Sequence, residues 1–130
     1  MVYLDASALV KLVLPEPESA ALWAELSAWR ERVSSALARV ELMRAVGRAR
    51  AGARAVRRAE QILARVALVP LDDDVLHGAA RLRPWELRSL EAIHLATASV
   101  LGADLGAFVA YDTRLADAAR RAGLPLRQPK

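Results

Sequence analysis

Five short apolar segments alternate with longer segments of helical periodicity, and this order constrains the fold more than any other feature of the sequence. The segments cover residues 2–4, 32–33, 67–71, 107–111 and 124–127. Strands that are separated by helices pair in parallel, because a helical crossover returns the chain to the same edge of the sheet. The sequence therefore predicts an α/β fold with a mostly parallel central sheet flanked by helices.

The helices are placed by apolar periodicity and by the residues that begin and end helices. Leu22, Leu26 and Trp29 follow one another at helical spacing and indicate a buried helix face. The residues assigned as helix starts are Ser34 or Ser35, Asp72 and Ser89, and those assigned as helix ends are Gly52, Gly102 and Gly123. Pro70 places the third apolar segment at an edge of the sheet or at a strand end.

Length and composition indicate one compact domain, residues 1–130, with a strong positive charge. The chain is 55% hydrophobic, carries a net charge of +4, and has arginine at every cationic side chain except Lys11 and Lys130. Arginine binds phosphate through two parallel hydrogen bonds, so a polyanionic partner is expected. The chain has no cysteine, which excludes disulfides and thiolate chemistry. No basic leader precedes the first apolar run, so we expect neither signal peptide nor membrane span, and a cytoplasmic location.

Two aspartates come directly after apolar runs at the two ends of the chain. Asp5 follows the first run and Asp112 follows the fourth, and a small hydroxyl residue, Ser7 or Thr113, stands within two positions of each. Open parallel sheets have their functional sites at the carboxyl ends of the strands. Aspartate at a strand-to-helix junction is also a good helix cap. For either residue alone, the two interpretations are equally weighted.

Two glutamates in predicted helices are further candidates. Glu41 shares a helical strip with Arg44 and Arg48, which is typical either of a surface ion-pair ladder or of a pocket wall with arginines directed at a phosphate. Glu91 lies in the first turn of its helix, where a negative charge is favourable in any case. His94 stands one turn further on.

Other polar residues fit structural roles better. Asp72, or Asp73 beside it, is interpreted as a helix cap. His77 and His94 are interpreted as core or edge residues rather than as metal ligands. Asp117 is expected to be exposed or paired with Arg114 or Arg121.

The four acids Asp5, Glu41, Glu91 and Asp112, taken as a set, predict a divalent-metal site. Carboxylates that converge in one pocket repel one another, and a bound cation removes that penalty. Ligands that are all oxygen select Mg²⁺, with Mn²⁺ possible, over zinc. Such an ion would activate water for attack on a phosphodiester.

The motifs YLDASALVKL, ARVELMRAV, LRSLEAIHLATA and FVAYDTRLADAARRAGL extend over most of the chain. In order and spacing they resemble the PIN-domain ribonucleases, and among these the VapC-type toxins of toxin–antitoxin pairs. The resemblance implies that Asp5, Glu41 and Asp112 bind metal, with Ser7 and Thr113 beside the site. Where the family usually has aspartate, in a segment of the form LDAIHLA, this chain has Glu91, which is one methylene longer.

The resemblance also implies the partners. These are an RNA substrate, a second copy of the chain in a homodimer, and a cognate antitoxin that inserts a segment into a groove. Trp23, Trp29 and Trp85 are candidate anchors for the antitoxin. Trp29 is better interpreted as a core residue, and Trp23 as the more exposed.

Two other functions compete with an Mg²⁺-dependent endoribonuclease toxin. The replacement at Glu91 is compatible with a catalytically silent module that binds RNA without cleaving it. A receiver-like phosphoacceptor domain has a similar length and acids at strand ends. It also needs a lysine after a late strand, and neither Lys11 nor Lys130 has that position.

Overall fold

The computed structural model describes all residues from Met1 to Lys130. Seven α-helices, one short 3-10 helix and five strands follow one another along the chain. The strands are β1 Val2–Leu4, β2 Arg32–Ser35, β3 Ala67–Val69, β4 Ala107–Val109 and β5 Leu126–Arg127. The helices are α1 Ala6–Val13, α2 Ser19–Leu26, α3 Ala38–Arg48, α4 Ala53–Leu63, α5 Asp73–Arg81, α6 Ser89–Val100 and α7 Thr113–Arg121, with the 3-10 helix at Gly102–Asp104.

All neighbouring strands of the sheet are parallel, in the order β3-β2-β1-β4-β5. The predicted α/β fold with a parallel sheet is therefore confirmed. The chain extends the sheet from β1 through β2 to β3, then returns to the other side of β1 to add β4. The direction of strand addition thus reverses between β1 and β4. At such a point the connections leave in opposite directions and open a crevice at the carboxyl ends of the two strands.

Helices cover both faces of the sheet, because successive side chains of a strand point to opposite sides. Val2 and Leu4 of β1 belong to a core formed with α1 to α4. Tyr3, between them, belongs to a second core that includes Phe108 of β4, Leu95 of α6 and residues of α7. The rings of Tyr3 and Phe108 stack with 5.2 Å between their centroids. The sheet is thus a buried middle layer that fixes where its strands end.

The second strand and the helix after it differ from the expectation. Ser34 and Ser35 do not cap a helix; they are buried in β2, and α3 begins only at Ala38. The Ser34 hydroxyl donates to the carbonyl of Leu4 at 2.6 Å, which makes a buried hydroxyl acceptable inside the sheet. Gly52 stands before α4 with φ +88° rather than directly at the end of α3.

The remaining boundaries agree with the expectation to within a few residues. Asp72 caps α5 by accepting from the backbone N–H of Val75, and β3 is an edge strand that ends before Pro70. Ser89 is the first residue of α6 and not its cap. No helix combines the length and the apolar composition needed to cross a lipid bilayer.

Candidate active site

A cavity of about 320 Å³ opens at the carboxyl ends of β1 and β4, where the order of the strands reverses. Its wall includes the four acids of the sequence-based hypothesis, and Ser7, Arg88 and His94 also line it. The acids come from four separate stretches of the chain. The acids in the cavity are Asp5, Glu41, Glu91 and Asp112.

Asp5 caps α1 and also lines the cavity. It is 3% exposed, and its Oδ1 accepts from the backbone N–H of Ala8 at 2.9 Å and from the Ser7 hydroxyl at 2.6 Å. Burial raises the pKa of Asp5 to about 6, although Ser7, His94 and Ala8 lower it, and the negative charge of Glu41 adds to the increase. The fold therefore holds a carboxylate here at a cost that a cation would offset.

Ser7 fixes Asp5 relative to the neighbouring strand. Its hydroxyl donates to Asp5 and accepts from the backbone N–H of Tyr111 at 2.8 Å, just beyond β4. The backbone N–H of Asp5 donates to the carbonyl of Val109. The side chain and the backbone of the first acid are thus both tied to the segment that leads to Asp112.

Glu41 is held by a buried histidine. His94 is 2% exposed, and its Nε2 lies 2.6 Å from Glu41 Oε1. Its Nδ1 lies 2.7 Å from the hydroxyl of Tyr3, whose pKa is raised well above its ordinary value, chiefly by burial. Tyr3 is therefore a neutral phenol that donates to Nδ1, which leaves the proton on Nε2 for Glu41. The chain of bonds from Tyr3 through His94 orients the glutamate toward the cavity.

Asp112 and Glu91 also have both a capping role and a position in the cavity. Asp112 Oδ1 accepts from the backbone N–H of Leu115 at the start of α7. Glu91 Oε2 accepts from the backbone N–H of Arg88 at 3.0 Å at the start of α6. Each bond places a carboxylate at a helix N-terminus and directs it beside the end of the sheet.

The four carboxylates have the donor chemistry for a hard divalent ion. In each, one oxygen accepts a hydrogen bond from the protein and the other accepts none. Hence each group is anchored and still has an oxygen free for a ligand. No three side chains of His, Cys, Asp or Glu stand close enough together to form a ready-made metal site. The four carboxylates thus line one cavity, but they do not converge as closely as the sequence-based hypothesis expected.

The structure places some of the proposed supporting residues away from the cavity. Thr113, Arg44 and Arg48 are exposed and do not line it. Glu41 forms no ion pair with either arginine, so the surface ladder is also absent. The arginine at the cavity is instead Arg88, which sequence reasoning missed although it directly precedes Ser89.

The two histidines and Asp117 are placed largely as expected, with two differences. His94 is buried, as interpreted, but it also borders the cavity, while His77 is exposed on α5. Asp117 is exposed and pairs with Arg120 at 2.8 Å, not with Arg114 or Arg121.

Comparison with known proteins identifies the fold family. The family model described as PIN domain matches residues 2–121. The chain belongs to the PIN-domain family. The resemblance drawn from the motifs is thus confirmed, and the cavity lies at the carboxyl end of this PIN-domain sheet.

Named relatives of this PIN domain match over nearly their full length. The chain is 50% identical over 129 residues to ribonuclease VapC46 of Mycobacterium tuberculosis strain H37Rv, covering 98% of this chain and 97% of the relative. It is 40% identical over 133 residues to ribonuclease VapC47 of M. tuberculosis strain CDC 1551, covering 99% and 97%.

Solved structures share the PIN-domain fold at low sequence identity. A toxin–antitoxin complex from Klebsiella pneumoniae superposes with a TM-score of 0.74 at 21% identity, covering 100% of this chain and 98% of that one. M. tuberculosis VapC20, described as a sarcin-ricin loop cleaving toxin, gives 0.72 at 20% identity, covering 95% and 96%.

Proposed function

We propose that this PIN domain is a Mg²⁺-dependent endoribonuclease and the toxin of a toxin–antitoxin pair. The observation that carries the proposal is the single cavity lined by Asp5, Glu41, Glu91 and Asp112, each anchored through one oxygen and free at the other. The relatives named as VapC ribonucleases support the reaction and the biological role.

The four carboxylates are the residues that would hold the ion, Mg²⁺ or Mn²⁺. When bound, the ion supplies the positive charge that makes water a nucleophile and stabilises the phosphoryl oxygens. The chain's own residues prepare the site. Ser7 holds Asp5 in position, and His94 holds Glu41. Arg88 borders the same cavity and would contact a phosphate of the RNA.

The reaction is hydrolysis of a phosphodiester by water. Water attacks phosphorus, the bond to the 3′ oxygen breaks, and the products carry a 5′-phosphate and a 3′-hydroxyl. The ribose 2′-hydroxyl is not a nucleophile on this route. A substrate with deoxyribose at the scissile position should therefore still be cleaved, and this outcome distinguishes the route from transfer to the 2′ oxygen.

The deciding experiment is a cleavage assay on total RNA with mapping of the new 5′ ends. We expect cleavage in Mg²⁺ or Mn²⁺, none in EDTA, and none by Asp5→Asn. The matched control is Asp74→Asn, since Asp74 is exposed on α5 and away from the cavity. Identical products from Asp5→Asn and the unaltered chain would refute the proposed enzymatic activity at this cavity. RNA binding without cleavage would instead identify the catalytically silent module.

The proposed function also implies protein partners for this chain. Toxin–antitoxin structures are among the solved structures that share this fold, and we propose that a cognate antitoxin binds this chain and inhibits it. The homodimer stays a prediction, which light scattering of the purified chain checks. A small DNA-binding protein encoded immediately upstream would be the antitoxin, and its co-purification with the chain is the expected result.

A further inference from the structure

The connection from β4 to α7 brings Asp112 to the carboxylate cavity. It consists of Ala110, Tyr111 and Asp112, and of these three residues only Asp112 lines the cavity. On the α7 side, Asp112 is fixed by its bond to the backbone N–H of Leu115. Its place relative to the sheet therefore depends on what holds the two residues before it, since they belong to neither a strand nor a helix.

The C-terminal segment, residues 128–130, holds this connection from the side of β5. Gln128 Nε2 donates to the carbonyl of Ala110 at 2.8 Å. Ala110 is fully buried, and a buried carbonyl needs a hydrogen-bond partner. The Tyr111 hydroxyl donates to the carbonyl of Pro129 at 2.8 Å. Burial raises the pKa of Tyr111 to about 12, so the phenol keeps the proton that it donates.

Tyr111 is also held from the side of α1, the helix that Asp5 caps. Its backbone N–H donates to the Ser7 hydroxyl, and its ring lies 4.7 Å from Lys11 Nζ. Lys11 is itself fixed by an ion pair with Glu18 at 3.0 Å. The backbone, the ring and the hydroxyl of this tyrosine thus have separate partners, and only the hydroxyl depends on the C-terminal segment.

The C-terminal segment starts from a fixed position. It follows β5, which pairs with β4 through Phe108 and Leu126. Arg127, the last residue of β5, donates to Glu25 Oε1 at 2.9 Å, and the same oxygen accepts from Trp29 Nε1 at 3.1 Å. The segment is therefore anchored to α2 and to the sheet before it reaches the connection.

We propose that Tyr111 and Gln128 are positioning residues for Asp112. They lie outside the cavity wall and touch no bound ion. They act through the backbone, by holding the connection in the place from which Asp112 meets a metal ion. A ligand that is already ordered loses less conformational freedom when the ion binds, so the ion binds more tightly. This inference rests on the proposed metal site and adds two residues to it.

The test is binding of Mn²⁺ to the full chain without RNA, followed by the electron paramagnetic resonance of free Mn²⁺. Tyr111→Phe removes the hydroxyl and keeps the ring beside Lys11, and Gln128→Met removes the donor and keeps the length. The two substitutions together should weaken Mn²⁺ binding about three- to tenfold, less than for loss of a direct partner of a ligand. The matched control, Ser27→Ala, loses a hydroxyl–carbonyl bond of 2.7 Å away from the cavity. It should bind Mn²⁺ within about twofold of the unaltered chain.

A double-mutant cycle separates positioning of Asp112 from a general loosening of the fold. In an Asp112→Asn background, the substitutions at Tyr111 and Gln128 should change Mn²⁺ affinity by less than about twofold, because the ligand that they position has lost its charge. In a Glu91→Gln background they should again weaken binding about three- to tenfold, since Glu91 stands on α6 and is not held by the connection. Urea unfolding identifies the variants that fold cooperatively, and the two single substitutions give the same cycle should the combined variant fail to fold.

Equal Mn²⁺ affinity of the combined variant and the unaltered chain would overturn the inference. A loss of the same size in the Asp112→Asn background would overturn it as well, because the effect would then not pass through Asp112. No Mn²⁺ binding by the unaltered chain would refute the proposed metal site and this inference with it. The two failures are distinct, because the first is seen only in the variants and the second already in the unaltered chain.

Discussion

His94 Nε2 and Glu41 Oε1 lie 2.6 Å apart, and this contact joins α6 to α3 across the end of the sheet. The histidine is buried, and its other nitrogen contacts the hydroxyl of Tyr3. A carboxylate at the cavity is therefore oriented from inside the protein. A partner of this kind fixes the direction of a metal ligand.

Replacing His94 should weaken metal binding without removing a carboxylate. We expect His94→Ala to lower the apparent Mg²⁺ affinity of the cleavage reaction by roughly 10- to 100-fold. His94→Gln, whose amide can donate to Glu41, should retain part of that affinity. The measurement is the cleavage rate over a Mg²⁺ titration. An unchanged Mg²⁺ dependence in His94→Ala would show that the histidine serves the core alone.

Asp5 should make the metal-free protein less stable as the pH rises. Its pKa in the folded chain is about 6 against an ordinary 3.8, so the folded state holds the proton more tightly than the unfolded state. The loss of folding stability caused by the buried charge is absent below pH 3.8 and complete above about pH 6. Its upper value is about 3 kcal/mol, from the standard conversion of a pKa difference into free energy.

Asp5→Asn should therefore stabilise the metal-free chain at neutral pH while abolishing cleavage, since its amide oxygen still accepts from Ser7 and Ala8. Urea unfolding in EDTA measures the difference, which should shrink as the pH approaches 3.8. Asp74→Asn should show no such pH-dependent gain. A variant less stable than the unaltered chain at every pH would contradict the burial penalty.

Glu91→Gln separates the capping role of this residue from its charge. The amide oxygen of glutamine can accept from the backbone N–H of Arg88 as Glu91 does, so stability should change by no more than about 0.5 kcal/mol. The cleavage rate should fall roughly tenfold or more, because a ligand oxygen loses its charge. Thermal unfolding and initial rates provide the two readouts, and full activity would leave Glu91 only as a helix cap.

Alanine substitutions at two glycines should change the free energy of unfolding in opposite directions. A Cβ at Gly106 would stand 2.4 Å from the ring of Trp29, so Gly106→Ala should destabilise the fold by about 1–3 kcal/mol. A Cβ at Gly47, inside α3, meets nothing within 4 Å, so Gly47→Ala should stabilise by about 0.5–1 kcal/mol. Denaturant unfolding compares both with the unaltered chain, and a stable Gly106→Ala would mean that the indole moves aside.

Features with a local cause could be predicted from the sequence. Asp5, Asp72 and Asp112 each cap the helix that follows, since a cap needs only the backbone N–H three residues further on. Apolar periodicity gave the order of strands and helices. Ser34 lies in a buried strand and not before a helix, which becomes clear only when its partner, the carbonyl of Leu4, is known. Ser35 lies in the same strand and accepts from the backbone N–H of Leu37.

Features that depend on distant partners could not be predicted. His94 stands one turn from Glu91 but bonds to Glu41, 53 residues away. Arg44 and Arg48 share a helical strip with Glu41, yet both are exposed and neither lines the cavity. The position of Arg88 at the cavity and the contact between Tyr3 and His94 also depend on segments that come together only in the folded chain.

The pairing of β1 with β4 has a consequence for the synthesis of the protein. Asp5 emerges early from the ribosome, but the strand beside it and Asp112 belong to the last part of the chain to be made. Before that segment folds back, Asp5 lacks Val109 and Tyr111 as neighbours and the cavity has no second wall. The cavity with its four carboxylates is therefore complete only after synthesis has passed Asp112 and β4 has paired with β1.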